Sequence, residues 1–180
     1  MISKYYTGIT LNRGVDITKN ISVRALLFII IGTCVAVQLG YPQMVASPDG
    51  RFISYDDGTV FDMRTEIMWA AKDNGSDINW FQAKTFTENF RGGGYRDWRM
   101  PTVAELETLY DGRKLQNVSC GGEPVHLVTD FITLSCRYVW SSERKGGEFA
   151  FFFFDRGYSR FYPQSYNGLR VLPARLGVKR

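Results

Sequence analysis

Four consecutive phenylalanines, at positions 151–154, constrain the fold of this chain more than any other sequence feature. A strand alternates its side chains between two faces, so this run places large rings on both faces of a sheet. Such a run is typical of a strand buried on both sides rather than of a ligand platform. We therefore predict a core strand at residues 148–154.

Three further strands are predicted in the last third of the chain. They comprise residues 138–142, 158–162 and 169–173. In the second of these, the alternation of side chains places Tyr158, Arg160 and Tyr162 together on one face. This face is a candidate binding surface.

The domain begins with short strands. A turn cluster at residues 47–50 precedes two apolar runs, residues 51–55 and 59–62, which residues 56–58 join with an Asp-Gly pair. Asp-Gly between two alternating runs is a strong signal for a hairpin. Residues 66–71 predict a third strand.

Two helices are predicted after these strands. In residues 77–90, apolar side chains recur at helical spacing. The second helix is predicted to extend to Tyr110 and opens with a capping box. In this box Thr102 and Glu105 each accept a hydrogen bond from the other's backbone N–H.

The N-terminal region has the features of an export signal. Residues 25–37 are uniformly apolar or weakly polar, follow a segment with a net charge of +3, and precede an uncharged stretch that ends at Asp49. A positive flank stays on the cytoplasmic side of a membrane. The stretch is shorter than the ~20 residues of a membrane span and fits a signal peptide better, with an uncleaved anchor as the alternative. We assign residues 1–47 to a signal peptide or anchor with its linker. Residues 48–180 are assigned to one exported domain, which is periplasmic, on the cell surface or secreted.

Cysteine usage agrees with export. Cys120 and Cys136 are the only cysteines outside the apolar stretch, and an even pair in an exported domain is most simply a disulfide. The alternative, a redox-active pair, usually has closer spacing and a neighbour that stabilises the thiolate. Neither feature is visible, so we predict a structural disulfide.

A block near the middle of the chain carries a family resemblance. Residues 93–102 read Gly-Gly-Tyr-Arg-Asp-Trp-Arg-Met-Pro-Thr, and further blocks flank them in order at residues 66–69, 139–142 and 169–175. Over about residues 55–175 this pattern resembles the bacterial Lcl C-terminal domain-like family. The resemblance implies an α+β, C-type-lectin-like fold in which two helices pack on short antiparallel sheets. It also implies secreted or surface proteins, some of which bind sulfated glycans and act in adhesion.

We assign the residues of these blocks to defining the fold rather than to binding. The glycines allow the positive φ that follows a helix, and large indole rings can join helix to sheet. We also predict a partly buried ion pair between Asp97 and Arg99. The fold-defining residues assigned in this way are Trp69, Gly94, Trp98, Arg99, Pro101, Thr102 and Trp140.

The sequence shows little sign of catalysis. His126 is the only histidine, and no ligands lie at metal-site spacing around it. Formylglycine-generating enzymes, which have a related fold, use a close cysteine pair near the C-terminus, and residues 137–180 contain no cysteine. Val125, in Glu-Pro-Val, replaces an amide with which C-type lectins hold calcium. We predict no enzymatic activity, no cofactor and no metal.

Charge is distributed unevenly along the chain. Residues 38–136 have a net charge of −5, whereas residues 137–180 have nine basic and three acidic side chains, a net charge of +6. A basic segment can recognise anions, although basic side chains on solvated strands are the commoner explanation. The ligand-binding residues predicted on this basis are Arg144, Lys145, Arg156, Tyr158, Arg160 and Tyr162.

Two classes of function remain. The first is a non-catalytic surface or adhesion module that recognises an anionic polysaccharide. The second is a structural or assembly subunit of an envelope or filament complex that binds another protein. Exposed tyrosines and arginines on one face favour the first class, and an open sheet edge or an apolar patch favours the second. In both cases we expect no nucleic-acid partner and membrane contact only through the N-terminal segment, and self-association stays open.

Overall fold

The computed structural model of the protein describes residues 43–116, 120–122 and 124–177. The predicted export segment, residues 25–37, lies outside these ranges. No helix within them combines the length and apolar character that crossing a membrane requires. The strands and helices are β1 (Met44–Ala46), β2 (Phe52–Tyr55), β3 (Thr59–Asp62), β4 (Ile67–Ala70), α1 (Trp80–Asn89), α2 (Val103–Glu107), β5 (Tyr138–Lys145), β6 (Glu148–Phe153), β7 (Tyr158–Pro163) and β8 (Ala174–Leu176).

The strands form two antiparallel sheets. The five-stranded sheet has the order β1-β2-β3-β4-β8, and the three-stranded sheet has the order β5-β6-β7. Helix α1 has ten residues and α2 has only five. The predicted α+β, C-type-lectin-like fold class is therefore wrong, because the described chain is mostly β and contains one substantial helix rather than two helices packed on short sheets.

Helix α2 is short because the chain after it turns into a strand-like pairing. The capping box at Thr102 forms as predicted, but the helix ends after five residues and Tyr110 pairs with Leu127 in an antiparallel bridge. Leu106 and Leu109 are both fully buried. The apolar spacing that predicts a longer helix therefore places these side chains in the core through one short helix and a turn.

Helix α1 is also shorter than the predicted residues 77–90. Its N-cap is Asn79, which forms a capping box with Gln82. Ile78 does not begin the helix, because it pairs with Leu169 in an antiparallel bridge. A tertiary contact thus sets the start of this helix.

The predicted N-terminal hairpin is confirmed. β2 and β3 pair antiparallel, with Phe52 opposite Asp62. Gly58 in the connecting turn has a φ of 78°, which glycine adopts without steric cost. β4 confirms the third predicted strand. β1 is absent from the predicted elements: it lies in the segment assigned to the linker, pairs with β2 and exposes all three of its side chains.

The strands of the C-terminal third follow the prediction except for the last one. β5, β6 and β7 overlap the predicted strands. Residues 169–173 do not form a strand, since Leu169 and Arg170 make isolated bridges to Ile78 and Val139. The chain then pairs with β4 as β8. This segment therefore runs from one sheet to the other and connects them.

The run of four phenylalanines is buried on both faces of the sheet, as predicted. Phe152 and Phe154 pack in the core between the two sheets, together with Trp69 of β4. Phe151 pairs opposite Trp140 of β5 and packs with it in a second cluster on the other face. The three-stranded sheet is thus covered on one face by the five-stranded sheet and partly covered on the other by α1.

A disulfide joins Cys120 and Cys136, which confirms the predicted pairing. It lies in the irregular chain between α2 and β5. Three apolar side chains of this stretch, Leu127, Ile132 and Leu134, are buried in the core between the sheets. The crosslink restrains a segment whose regular hydrogen bonding is limited to isolated bridges.

Replacing both cysteines by serine should lower the free energy of unfolding by about 3 kcal/mol, because the unfolded chain gains the entropy of an open loop. Denaturant unfolding of the parent and the double variant measures the difference. In the parent, thiol reagents applied under denaturing, non-reducing conditions should label neither Cys120 nor Cys136. Stoichiometric labelling of both, or equal stability of the two proteins, would contradict the assignment.

Candidate binding face

One face of the three-stranded sheet brings rings and arginines together. Strand pairing places the three predicted residues of β7, Tyr158, Arg160 and Tyr162, opposite three phenylalanines of β6. We call this surface the aromatic face. Its residues are Tyr138, Trp140, Arg144, Phe149, Phe151, Phe153, Tyr158, Arg160 and Tyr162.

One row across the aromatic face forms a continuous ring surface. The ring centroids of Tyr138 and Phe153 lie 4.8 Å apart, and those of Phe153 and Tyr158 lie 4.6 Å apart in a stacked arrangement. Phe153 is buried, whereas the two tyrosines are partly exposed. The row therefore consists of one buried phenylalanine ring between two partly exposed phenol rings.

Guanidinium groups flank this row. The Arg160 Cζ lies 5.3 Å from the ring centroid of Tyr158, and the Arg137 Cζ lies 4.7 Å from that of Tyr138. Arg156 is in the turn between β6 and β7, with 66% of its side chain exposed. The exposed guanidinium groups of Arg156 and Arg160 present planar forks of N–H donors to an anion at the ring edge.

Arg137, Arg156 and Arg160 form what we call the arginine cluster. One carboxylate lies within it. Oδ2 of Asp155 is 3.6 Å from Nε of both Arg137 and Arg156. It offsets one of their two positive charges. Arg160 makes no ion pair with a carboxylate of the described chain, so this end of the aromatic face keeps a net positive charge.

The other two predicted binding residues lie apart from the arginine cluster. Arg144 is opposite Phe149, so it shares the aromatic face, but it lies near the opposite end of β5. Lys145 is opposite Glu148 on the other face of the sheet. Of the six predicted residues, the structure therefore places Arg156, Tyr158 and Arg160 at one end of β7. Arg144 and Tyr162 share a row at the other end of the same face, and Lys145 is on the reverse side.

Three residues of this site are missing from the sequence-based prediction of binding residues: Arg137 of the arginine cluster, and Tyr138 and Phe153 of the ring row. Arg137 and Tyr138 are separated from Tyr158 by about twenty residues of chain, and only the register of β5 on β6 and of β6 on β7 brings them together. An Arg-Tyr pair at the start of a predicted strand is the single local signal for them. Phe153 is predicted as a core residue, and in the structure it belongs both to the core and to the ring row.

Residues 93–102, which carry the family resemblance and which we call the signature block, lie against the five-stranded sheet. Trp98 is buried with Phe61 and Met68 on the sheet face that points away from the core between the sheets, and its Nε1 donates to the Gly92 carbonyl at 3.1 Å. Gly94 has a φ of 77°, in the left-handed region that favours glycine. This block covers a sheet face that is not the aromatic face.

The predicted ion pair between Asp97 and Arg99 is wrong. Arg99 makes two hydrogen bonds to Glu105, at 2.6 and 2.8 Å, and Asp97 accepts two from Arg175 of β8, at 2.7 and 2.9 Å. Burial by itself would raise the pKa of Glu105, but hydrogen bonds from Arg99 and Thr102 outweigh it and hold the pKa below its usual range. Asp97 and Glu105 thus each pair with an arginine that the sequence analysis did not assign to them.

The remaining assigned residues also make structural contacts. The Pro101 carbonyl accepts a hydrogen bond from the Ser142 backbone at 2.7 Å, which joins the start of α2 to β5. Trp140 is fully buried and donates through Nε1 to the Ile78 carbonyl at 2.9 Å. Trp69 is fully buried in the core between the sheets.

The aromatic face is suited to binding. Flat rings offer apolar contact and guanidinium groups offer charged donors for an anion.

His126 Nδ1 lies 2.6 Å from the Lys114 carbonyl oxygen, within the irregular segment. In the ranges that the structure describes, no three histidine, cysteine, aspartate or glutamate side chains form a group that could hold a metal ion.

Comparison with known families agrees with the resemblance carried by the signature block. The model of the Lcl C-terminal domain matches residues 58–175. This range extends from β3 through most of β8 and contains both the signature block and the aromatic face. No curated protein matches the chain.

Proposed function

Because the chain belongs to the Lcl C-terminal domain family, we propose that it is an exported, non-catalytic binding module that recognises an anionic glycan at a bacterial surface. The observation that carries this proposal is the arginine cluster beside the row of Tyr138, Phe153 and Tyr158. It combines a flat surface with cationic donors in one place.

The two components have separate roles. The partly exposed phenol rings of Tyr138 and Tyr158 provide flat surfaces for the apolar face of a sugar ring, and their hydroxyl groups lie at the edge of that surface. Arg156 and Arg160 provide planar donor forks that match a sulfate or carboxylate group. A glycan with both sugar rings and anionic substituents is the ligand class that uses both.

Two features support export. The apolar segment at residues 25–37 follows a positively charged flank, and such a flank stays in the cytoplasm while the following chain is translocated. The bond between Cys120 and Cys136 is of a kind that persists in oxidising compartments. The proposed location is the periplasm, the cell surface or the medium.

The alternative, a structural subunit that binds another protein, receives support from the open edge of the three-stranded sheet. β7 is the last strand of that sheet, and no described strand pairs with its outer side. However, the strand carries the exposed Arg160 and ends at Pro163. Charge and proline on an edge strand are devices that oppose strand addition. The glycan proposal therefore comes first.

Replacing Arg156 and Arg160 together by alanine should weaken binding to heparin, a sulfated glycan, by about tenfold or more, because two charge-assisted contacts are lost. Binding to the parent should also fall steeply with added salt, since exposed charges are screened within ~8 Å at physiological ionic strength. Retention on a heparin column and titration with heparin measure both effects.

The matched control replaces Arg64 and Arg96 by alanine, which removes two exposed arginines that lie in the β3–β4 turn and in the signature block, outside the aromatic face. This control should bind heparin within about twofold of the parent. Both double variants should keep the melting temperature of the parent. If the Arg156 and Arg160 variant binds like the control while its fold is intact, the aromatic face is not the glycan site.

A further inference from the structure

A second surface lies next to the aromatic face, along α1. A groove of about 730 Å³ is bounded by the helix and by the loop before it. Ring and aliphatic side chains on its wall are Ile78, Phe81, Phe86 and Phe90. Phe81 is 52% exposed, which is unusual for so large an apolar side chain and indicates a surface available for contact.

The groove is lined by neutral hydrogen-bonding groups as well as rings. Gln82, Thr85 and Asn89 lie three and four residues apart, so they form one stripe along α1. Gln82 uses Oε1 to accept from the Asn79 backbone, and Asn89 uses Nδ2 to donate to the Thr85 carbonyl. Within the described chain, Gln82 Nε2 and Asn89 Oδ1 make no hydrogen bond, so both can serve a ligand.

Ring contacts and strand pairing connect the groove to the aromatic face. The ring centroid of Phe81 is 6.0 Å from that of Phe149, and Phe149 lies directly opposite Tyr162 on β7. The Tyr162 ring in turn lies 4.9 Å from Phe151 and 4.8 Å from the exposed Tyr166. At ~3.3 Å per residue, Tyr162 is only about 13 Å along β7 from Tyr158 at the arginine cluster.

We propose that the α1 groove is a second subsite for the same glycan chain, so that the ligand is an extended polymer rather than a single sulfated sugar. This inference rests on the proposed function. The arginine cluster holds an anionic substituent, and sugar rings further along the chain lie on Phe81 and hydrogen-bond to Gln82 and Asn89. Sugar rings fit this lining because they present both an apolar face and hydroxyl groups, whereas an acyl chain would leave the amides without partners.

The charge of the groove supports the division of roles. Arg91 is the one charged residue among the side chains that line it. A second cluster of cations would indicate another anion site, whereas neutral amides and hydroxyls match the hydroxyl groups and ring faces between the anionic substituents. The two subsites together predict that affinity increases with the length of the glycan.

The test uses two size-fractionated heparin fragments, a disaccharide and an octasaccharide, titrated against the parent, Phe81→Ala and Arg160→Ala. Phe81→Ala should weaken binding of the octasaccharide about fivefold and leave binding of the disaccharide within about twofold. Arg160→Ala should weaken binding of both fragments. Leu115→Ala removes another exposed apolar side chain, outside the groove, and should bind both fragments like the parent.

The outcomes distinguish a failure of the groove as a subsite from a failure of the proposed function. If Arg160→Ala weakens binding but Phe81→Ala binds the octasaccharide like the Leu115→Ala control, the groove is not a subsite and the proposed function stands. If the parent binds the octasaccharide no more tightly than the disaccharide, the extended-ligand inference is also overturned. If the parent binds neither fragment, the proposed function and this inference fail together.

Discussion

Replacing Asp62 by asparagine should lower the free energy of unfolding by about 3 kcal/mol at neutral pH. The Asp62 side chain is fully buried and accepts two hydrogen bonds from Arg51, at 3.0 and 2.6 Å. Arg51 also donates to the Thr108 carbonyl at 2.9 Å, so this pair connects the β2–β3 hairpin to the end of α2. Asparagine would leave a largely buried guanidinium without its counter-charge.

The difference between the parent and Asp62→Asn should become smaller in acid. Burial by itself would raise the pKa of Asp62, but hydrogen bonds from Arg51 and from the Arg64 backbone outweigh it and hold the pKa below its usual range. A carboxyl with a lowered pKa stabilises the folded state above the unfolded pKa of about 4, and this stabilisation is lost as the pH falls through the folded pKa. Urea unfolding at pH 7 and at several values below pH 4 measures the change.

Glu88→Gln is the matched control for this substitution. Glu88 pairs with Lys84 on α1, and both side chains are about half exposed, so the expected change is at most about 0.5 kcal/mol. Equal stability of Asp62→Asn and Glu88→Gln at pH 7 would show that the buried pair does not hold the fold. A difference that stays constant below pH 4 would contradict the assigned pKa direction.

Replacing Trp140 by alanine should lower the free energy of unfolding by about 4 kcal/mol, because it leaves a large cavity between α1 and the three-stranded sheet. Trp140 is fully buried, and its ring centroid is 5.8 Å from that of Phe151. Its Nε1 donates to the Ile78 carbonyl just before α1. Denaturant unfolding measures the loss, and circular dichroism at low denaturant checks that the variant still folds.

Phenylalanine substitutions at two tryptophans separate the cavity from the hydrogen bond. Trp140→Phe would leave the Ile78 carbonyl without its indole donor, whereas the Trp69 Nε1 is buried with no hydrogen-bond partner among the described residues. Both variants remove similar ring volume from fully buried sites. We therefore expect Trp140→Phe to be the more destabilising by about 1 kcal/mol. Equal losses in the two variants would contradict a role for the hydrogen bond.

Patterns within a few neighbouring residues predicted several secondary-structure elements correctly. Asp-Gly at residues 57–58 marks the hairpin, because only a few residues adopt the backbone conformation of that turn. The capping box of Thr102 and Glu105 forms within one helical turn. The four phenylalanines predicted a strand buried on both sides, because strand geometry alone alternates their faces.

The candidate site was only partly predictable, for a related reason. Alternation along one strand places Tyr158, Arg160 and Tyr162 on one face whatever the rest of the chain does. Arg137 and Tyr138 join them only through the register of three strands, and a register is not encoded in any one of its strands.

By itself the sequence determined most of the local elements of this protein, the pairing of Cys120 with Cys136, and the side chains that share a face of β7. The tertiary structure decided the fold class, the early end of α2 at its bridge to Leu127, and the pairing of Asp97 with Arg175 rather than with Arg99. These outcomes depend on partners far apart in the chain. In the assembled core, burial and hydrogen bonding between these distant partners contribute more to stability than the local secondary-structure propensity does.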